Sequence, residues 1–127
     1  MRYLALDVGD RRIGLAVGDD RFGLVRPLPT IRRKSLARDL ILLGEVVGRE
    51  AVAALVIGMP LTLRGEVGYQ AGRVQRFAEA ARVALALPLS FADERFTTAE
   101  AAARAATELD AGAATVLLEA FFREGAR

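Results

Sequence analysis

The chain has 127 residues, with 18 Lys and Arg against 16 Asp and Glu, and it contains no His and no Cys. The two zeros remove disulfides, thiolate nucleophiles, zinc fingers and iron–sulfur ligation, along with Ser-His-Asp triads and His-ligated metals. Chemistry is left to carboxylates, hydroxyls, Arg, the single Lys34 and the backbone, and carboxylate oxygens favour hard cations such as Mg²⁺, Mn²⁺ or Ca²⁺.

The length suggests one domain over residues 1–127, burying roughly 13,000 Å² of about 20,000 Å² in the open chain. A pI near 9.7 says little about partners. With no His or Cys, little titrates between the carboxylates and Tyr or Lys, so a formal charge of +2 already drives the pI high. The start, Met1-Arg2-Tyr3, runs directly into a strand pattern, and no apolar run approaches the ~20 residues of a membrane span. The expected compartment is the cytoplasm.

Residues 3–8 form a short apolar run closed by Gly9-Asp10. A second run spans Ile13 to Gly18 and a third Phe22 to Ile31, spacings that predict consecutive antiparallel strands. Pro27 and Pro29 put the third at an edge. Ser35 is a predicted N-cap for a helix over about 36–49, with Leu36, Leu40, Leu43 and Val47 on one face.

Val52 to Ile57 reads as a buried central strand ending at Gly58-Met59-Pro60. A loop over 61–65 precedes a helix over about 67–86, and Leu87 to Ala92 reads as another short strand. Thr97 to Glu100 matches a capping box opening a short helix, and a final helix starts near Asp110 and runs to about Arg123. Three antiparallel strands followed by α/β crossovers imply an α/β fold: a mixed sheet with helices on both faces.

Three acidic positions stand out. Asp7 interrupts an apolar strand, where a carboxylate needs an ion pair with Arg11 or Arg12, other hydrogen bonds, or a metal. Asp93-Glu94-Arg95 follows a strand at its carboxyl end, where α/β sheets place ligands. Alternation sends Asp93 and Glu94 to opposite faces, so at most one joins Asp7; a solvated loop with a local Glu–Arg pair is the other reading. Asp110 heads an apolar stripe through Ala113, Ala114, Leu117, Leu118 and Phe121, and also suits an N-cap. Converging carboxylates repel one another and call for divalent cations, which can clamp a scissile phosphate without His or Cys. Gly9 to Gly14 has the first spacing of a P-loop, but Leu15-Ala16 stand where Lys and Ser or Thr are required.

The run Leu6 to Val17, LDVGDRRIGLAV, resembles the opening motif of the YqgF/RuvX family within the RNase H-like superfamily. The resemblance continues through Ile57-Gly-Met-Pro-Leu61 with Gly65, then Val74 and Phe77, Asp93-Glu-Arg-Phe-Thr-Thr98, and Asp110 to Leu118. It implies an RNase H-like, Mg²⁺- or Mn²⁺-dependent nuclease with Asp7, Glu94 and Asp110 as catalytic and metal-binding residues. It further implies processing of the 5′ end of precursor 16S rRNA, or alternatively resolution of Holliday junctions, which calls for a homodimer. Arg12 and Arg95 match motif positions and are expected phosphate or orientation contacts.

The segment before Asp110 is shorter than the family's usual loop, and Met59 and Phe96 replace its commoner Leu. Arg32, Arg33, Lys34, Arg64, Arg73 and Arg76 are candidates for a phosphate-binding surface, with a solvated helix face as the alternative for each. Nucleic acid, as structured RNA or branched DNA, is the expected partner, with no membrane association. A non-catalytic RNA-binding module is the rival from another class. A sugar-kinase or actin-like ATPase shares the Asp-x-Gly opening but needs two such domains.

Overall fold

The structure is a computed structural model that describes residues 1–60, 68–93 and 110–124. The elements are β1 (Arg2–Val8), β2 (Arg12–Asp19), β3 (Val25–Arg32), α1 (Leu36–Glu50), β4 (Ala54–Met59), α2 (Tyr69–Leu85), β5 (Leu89–Asp93) and α3 (Asp110–Arg123). Among the described residues the strands form one sheet in the order β3-β2-β1-β4-β5. The β1–β2 and β2–β3 pairs are antiparallel, while β1–β4 and β4–β5 are parallel. The mixed sheet expected from the element order is therefore present, and its parallel half begins where the first helix crosses over.

Strand alternation divides the core. Leu4, Leu6 and Val8 of β1 join Leu55 and Ile57 of β4 against Leu43 and Val46 of α1 and Val74, Phe77 and Ala78 of α2. Tyr3 and Ala5 point the other way, with Ala54 and Val56, onto Leu117 and Leu118 of α3. The Tyr3 ring sits 5.4 Å from Phe121 and 5.7 Å from Phe122, tilted and edge-on, the arrangement favoured by aromatic quadrupoles. Each sheet face thus has its own helical layer.

Local signals set the boundaries. The Ser35 side chain accepts from the Arg38 backbone N–H at 3.2 Å, so α1 begins where the cap was read. Pro27 and Pro29 fall on β3, an edge strand whose outward backbone needs no ladder partner.

Several boundaries differ from the sequence reading: β4 runs Ala54–Met59 rather than Val52 to Ile57, and β5 starts at Leu89 rather than Leu87. The third strand starts at Val25 rather than Phe22, because Asp19 closes a turn ahead of it. The Asp19 carbonyl accepts from the Phe22 and Gly23 N–H groups, its carboxylate accepts from the Arg21 N–H, and Gly23 takes φ +69°. Phe22 and Leu24, strand formers by type, are left exposed in that turn. The second helix begins at Tyr69, with Gly68 as N-cap, rather than near 67. The capping-box segment 97–100 and the loop 61–65 lie outside the described residues.

Among the described residues, no helix is long and apolar enough to cross a membrane.

Candidate active site

Asp7 is the penultimate residue of β1, at the carboxyl end of the parallel half of the sheet. Alternation puts it on the face of Tyr3 and Ala5, which is the face covered by α3. Its cross-strand partner in β2 is Gly14. On the other side Leu6 pairs with Ile57, so the next residue beside Asp7 is Gly58, which in turn pairs with Ala92 of β5.

The carboxylate therefore stands in a row of residues with almost no side chain. It is half-buried and makes no ion pair or side-chain hydrogen bond among the described residues. Asp7, Gly9, Asp10, Arg11, Arg12 and Gly14 line an open depression of about 420 Å³ there. A half-buried carboxylate on the wall of an open depression is set up to take a ligand, and its hard oxygens suit a divalent cation.

The other acidic candidates are placed unequally. Asp93 ends β5, where Leu89 packs into the α1/α2 core and Ala92 packs toward α3. Two-residue alternation puts Asp93 with Leu89, on the face opposite Asp7. Of the Asp93–Glu94 pair, Asp93 is thereby separated from Asp7, as the alternation argument allows for one of them. Glu94, Arg95 and Arg64 lie outside the described residues. Asp110 is the first residue of α3, the helix packed on Asp7's face, and its side chain is outside what is described. Among the described residues, no three acidic side chains gather into a cation site.

The turn that carries the site is braced from behind. The Gly9 N–H donates to the Arg12 carbonyl at 2.8 Å, and the Arg33 N–H donates to the Arg11 carbonyl at 2.8 Å. The Arg33 guanidinium donates from Nη1 to the Gly9 carbonyl at 2.8 Å and from Nε to Asp39 Oδ2 at 3.4 Å. It also lies over the Phe77 ring, 5.0 Å from its centroid. Asp39 is 1% exposed and accepts in addition from the Lys34 backbone N–H at 3.2 Å. The Lys34 side chain itself is exposed.

Arg73 of α2 pairs with Asp10 at 2.8 Å, and Arg73 and Arg76 both line a groove on the α1/α2 face. Arg12 lines the Asp7 depression instead. Arg12 and the Arg73–Arg76 pair thus fall on two sides of one turn. Asp10 and Asp39 are the residues that sequence reasoning missed: Arg73 lies 63 positions from Asp10, and no local spacing announces such a pair.

Comparisons with known proteins place the chain in a family. A family model described as RuvX, Holliday junction resolvase, matches residues 1–124. The chain belongs to the RuvX family. A relative from Moorella thermoacetica, provisionally named a pre-16S rRNA nuclease, is 44% identical over 110 residues, covering 87% of this chain and 78% of its own. One of the same name from Acaryochloris marina is 48% identical over 99 residues, covering 77% of this chain and 68% of its own. Thermus thermophilus RuvC in complex with a Holliday junction substrate superimposes with a TM-score of 0.67 at 18% identity, covering 98% of this chain and 97% of that one.

The fold is RNase H-like, as the resemblance implies. The RuvX family is one of nucleases, hydrolases of phosphodiester bonds, and in this member the Asp-x-Gly opening supplies Asp7 and the turn behind it.

Proposed function

We propose that this RuvX-family chain is a Mg²⁺- or Mn²⁺-dependent nuclease that hydrolyses phosphodiester bonds in structured RNA, processing the 5′ end of precursor 16S rRNA in the cytoplasm. Residues 1–127 act as a single nuclease domain. The observation that carries the reading is Asp7: a half-buried carboxylate flanked by Gly14 and Gly58 at the carboxyl end of the sheet, unpaired among the described residues. The names of the relatives from Moorella and Acaryochloris support the RNA substrate.

In this reading Asp7, Glu94 and Asp110 hold the divalent ions. Bound there, such ions supply Lewis-acid stabilisation of the scissile phosphate and activation of water, by a two-metal route where two ions share the site. Everything else falls to the chain. Asp7 presents oxygens where neighbouring Cβ atoms would otherwise crowd them. Arg12, on the wall of the same depression, and Arg95, next to Glu94, offer guanidinium forks to the phosphate bearing the reaction. Lys34, Arg64, Arg73 and Arg76 serve phosphates farther along the strand.

A second reading keeps the chemistry and makes a four-way DNA junction the substrate, with two sites supplied by a homodimer. It is favoured by the family description and by the fold match to RuvC.

The test is cleavage of precursor 16S RNA and junction DNA side by side, wild type against Asp7→Asn, in Mg²⁺, in Mn²⁺ and in EDTA. Metal-dependent cleavage of the RNA that Asp7→Asn abolishes is expected. Symmetric incision of the junction with intact RNA selects the second reading. RNA binding indifferent to metal and to Asp7→Asn, without cleavage of either substrate, overturns both in favour of a binding module.

A further inference from the structure

Behind the Gly9–Asp10 turn, on the face of the sheet opposite Asp7, a groove of about 340 Å³ opens between the turn, the start of α1 and the first turns of α2. Arg33, Arg73 and Arg76 line it, together with Gln70, Phe77 and, among the described residues, a single carboxylate, that of Asp10. The three guanidinium groups differ in how firmly they are committed. Arg33 is held by the buried Asp39, by the Gly9 carbonyl and by the Phe77 ring. Arg73 is held by Asp10 at 2.8 Å, in a pair whose side chains are 40% and 61% exposed. Arg76 has no ion-pair partner among the described residues. Its Nη1 lies back over Gly72, where an added Cβ would stand 3.7 Å away.

An exposed ion pair is weak and exchanges readily, because water and salt screen it on all sides. A phosphodiester oxygen accepts from a guanidinium fork as well as a carboxylate does. Gly9 and Asp10 also line the Asp7 depression, so the turn is a ridge with a carboxylate site on one side and a cationic groove on the other. A strand that reaches Asp7 across this ridge meets Arg73 and Arg76 next.

We propose that the Arg73–Arg76 groove is a binding subsite for a backbone phosphate of the nucleic-acid strand, and that Asp10 is its gate. Asp10 neutralises Arg73 in the free protein and yields it to the incoming phosphate. The subsite rests on the nuclease reading above, since it presumes a nucleic-acid strand at Asp7.

The experiment measures binding apart from cleavage: fluorescence anisotropy of a labelled hairpin RNA with a single-stranded 5′ extension, in EDTA, over a series of salt concentrations. Arg73→Ala and Arg76→Ala are each expected to lower the slope of log affinity against log salt by about 1, equally for unrelated sequences. Asp10→Asn has the opposite sign: tighter binding and a steeper slope. In an Arg73→Ala background Asp10→Asn changes nothing, because the group it releases is gone.

A purely structural Asp10–Arg73 pair predicts instead that Asp10→Asn lowers the melting temperature and leaves affinity unchanged or weaker, which overturns the gate. Unchanged salt slopes in both arginine variants, with wild-type RNA cleavage intact, overturn the subsite and leave the nuclease reading standing. A wild-type chain that neither binds nor cleaves the RNA overturns the nuclease reading, and the subsite falls with it.

Discussion

Asp7 faces Gly14 directly across the β1–β2 ladder, both lining one open depression, and its carboxylate has no partner among the described residues. Burying even part of a charged group without compensation is costly, so the stability of the free protein gains nothing from this Asp. Asp7→Asn is expected to leave the urea midpoint equal or higher, within about 0.5 kcal/mol, as for surface changes away from packed features. Cleavage in Mg²⁺ is expected to fall by more than the roughly 10–100-fold typical of losing a residue that only supports a metal ligand. A variant that cleaves at the wild-type rate removes Asp7 from the site.

The neighbour should matter as much as the acid. Gly14 is buried on Asp7's face, and a valine there puts branched methyl groups into the space beside the carboxylate. Gly14→Val is expected to cost about 1–3 kcal/mol of stability through overpacking. The cleavage rate should fall much further than that destabilisation accounts for at a temperature where the variant remains folded. Full activity in folded Gly14→Val, assayed beside its urea unfolding curve, contradicts a ligand in that space.

How much of this was legible in the sequence depends on the range of the interaction. Leu4, Leu6 and Val8 against Tyr3, Ala5 and Asp7 is a two-residue alternation, so both sheet faces could be read from eight letters. Ser35 and Pro27 likewise act through their own backbone neighbours and marked their elements correctly. Phe22 and Leu24 misled because side-chain type suggested strand while the carboxylate of Asp19, three to five residues earlier, had already closed a turn. Asp7 was conspicuous because a charge in an apolar run is a local anomaly. The braces behind it were not: Arg33 meets Gly9, Asp39 and Phe77 only once α1 and α2 have packed on the sheet.

That brace is itself testable. Arg33→Ala removes the hydrogen bond to the Gly9 carbonyl, the stacking on Phe77 and one of the cations facing the buried Asp39. Asp39 keeps the Lys34 N–H and Arg38 at 3.6 Å, so its charge is not wholly abandoned. A loss of about 1–3 kcal/mol in urea unfolding is expected, the range for a buried polar group deprived of a partner. Arg33→Lys should recover little of it, since one ammonium cannot bond the Gly9 carbonyl, face Asp39 and stack on a ring at once. Combining Arg33→Ala with Asp39→Asn should be less damaging than the sum of the two, because the second change removes the charge that the first strands. Strict additivity in that cycle contradicts the coupling.

Acid should act first at the turn before β3. The Arg21 side chain reaches Asp19 through Nε at 3.0 Å and Nη2 at 2.8 Å, and the Arg21 N–H adds a third bond at 2.9 Å. The Arg21 side chain, and then its N–H, hold the Asp19 carboxyl well below the usual carboxylate value of 3.8. A carboxyl whose pKa is lower in the folded than in the unfolded chain binds protons preferentially in the unfolded state. Its contribution is therefore complete above the usual carboxylate value and shrinks as pH falls below it. Comparing urea unfolding of wild type and Asp19→Asn between about pH 6 and pH 2 should show a gap that is constant at the upper end and narrows below about pH 4. A gap that stays constant down to pH 2, or one that widens in acid, shows that Asp19 is not held ionised by Arg21.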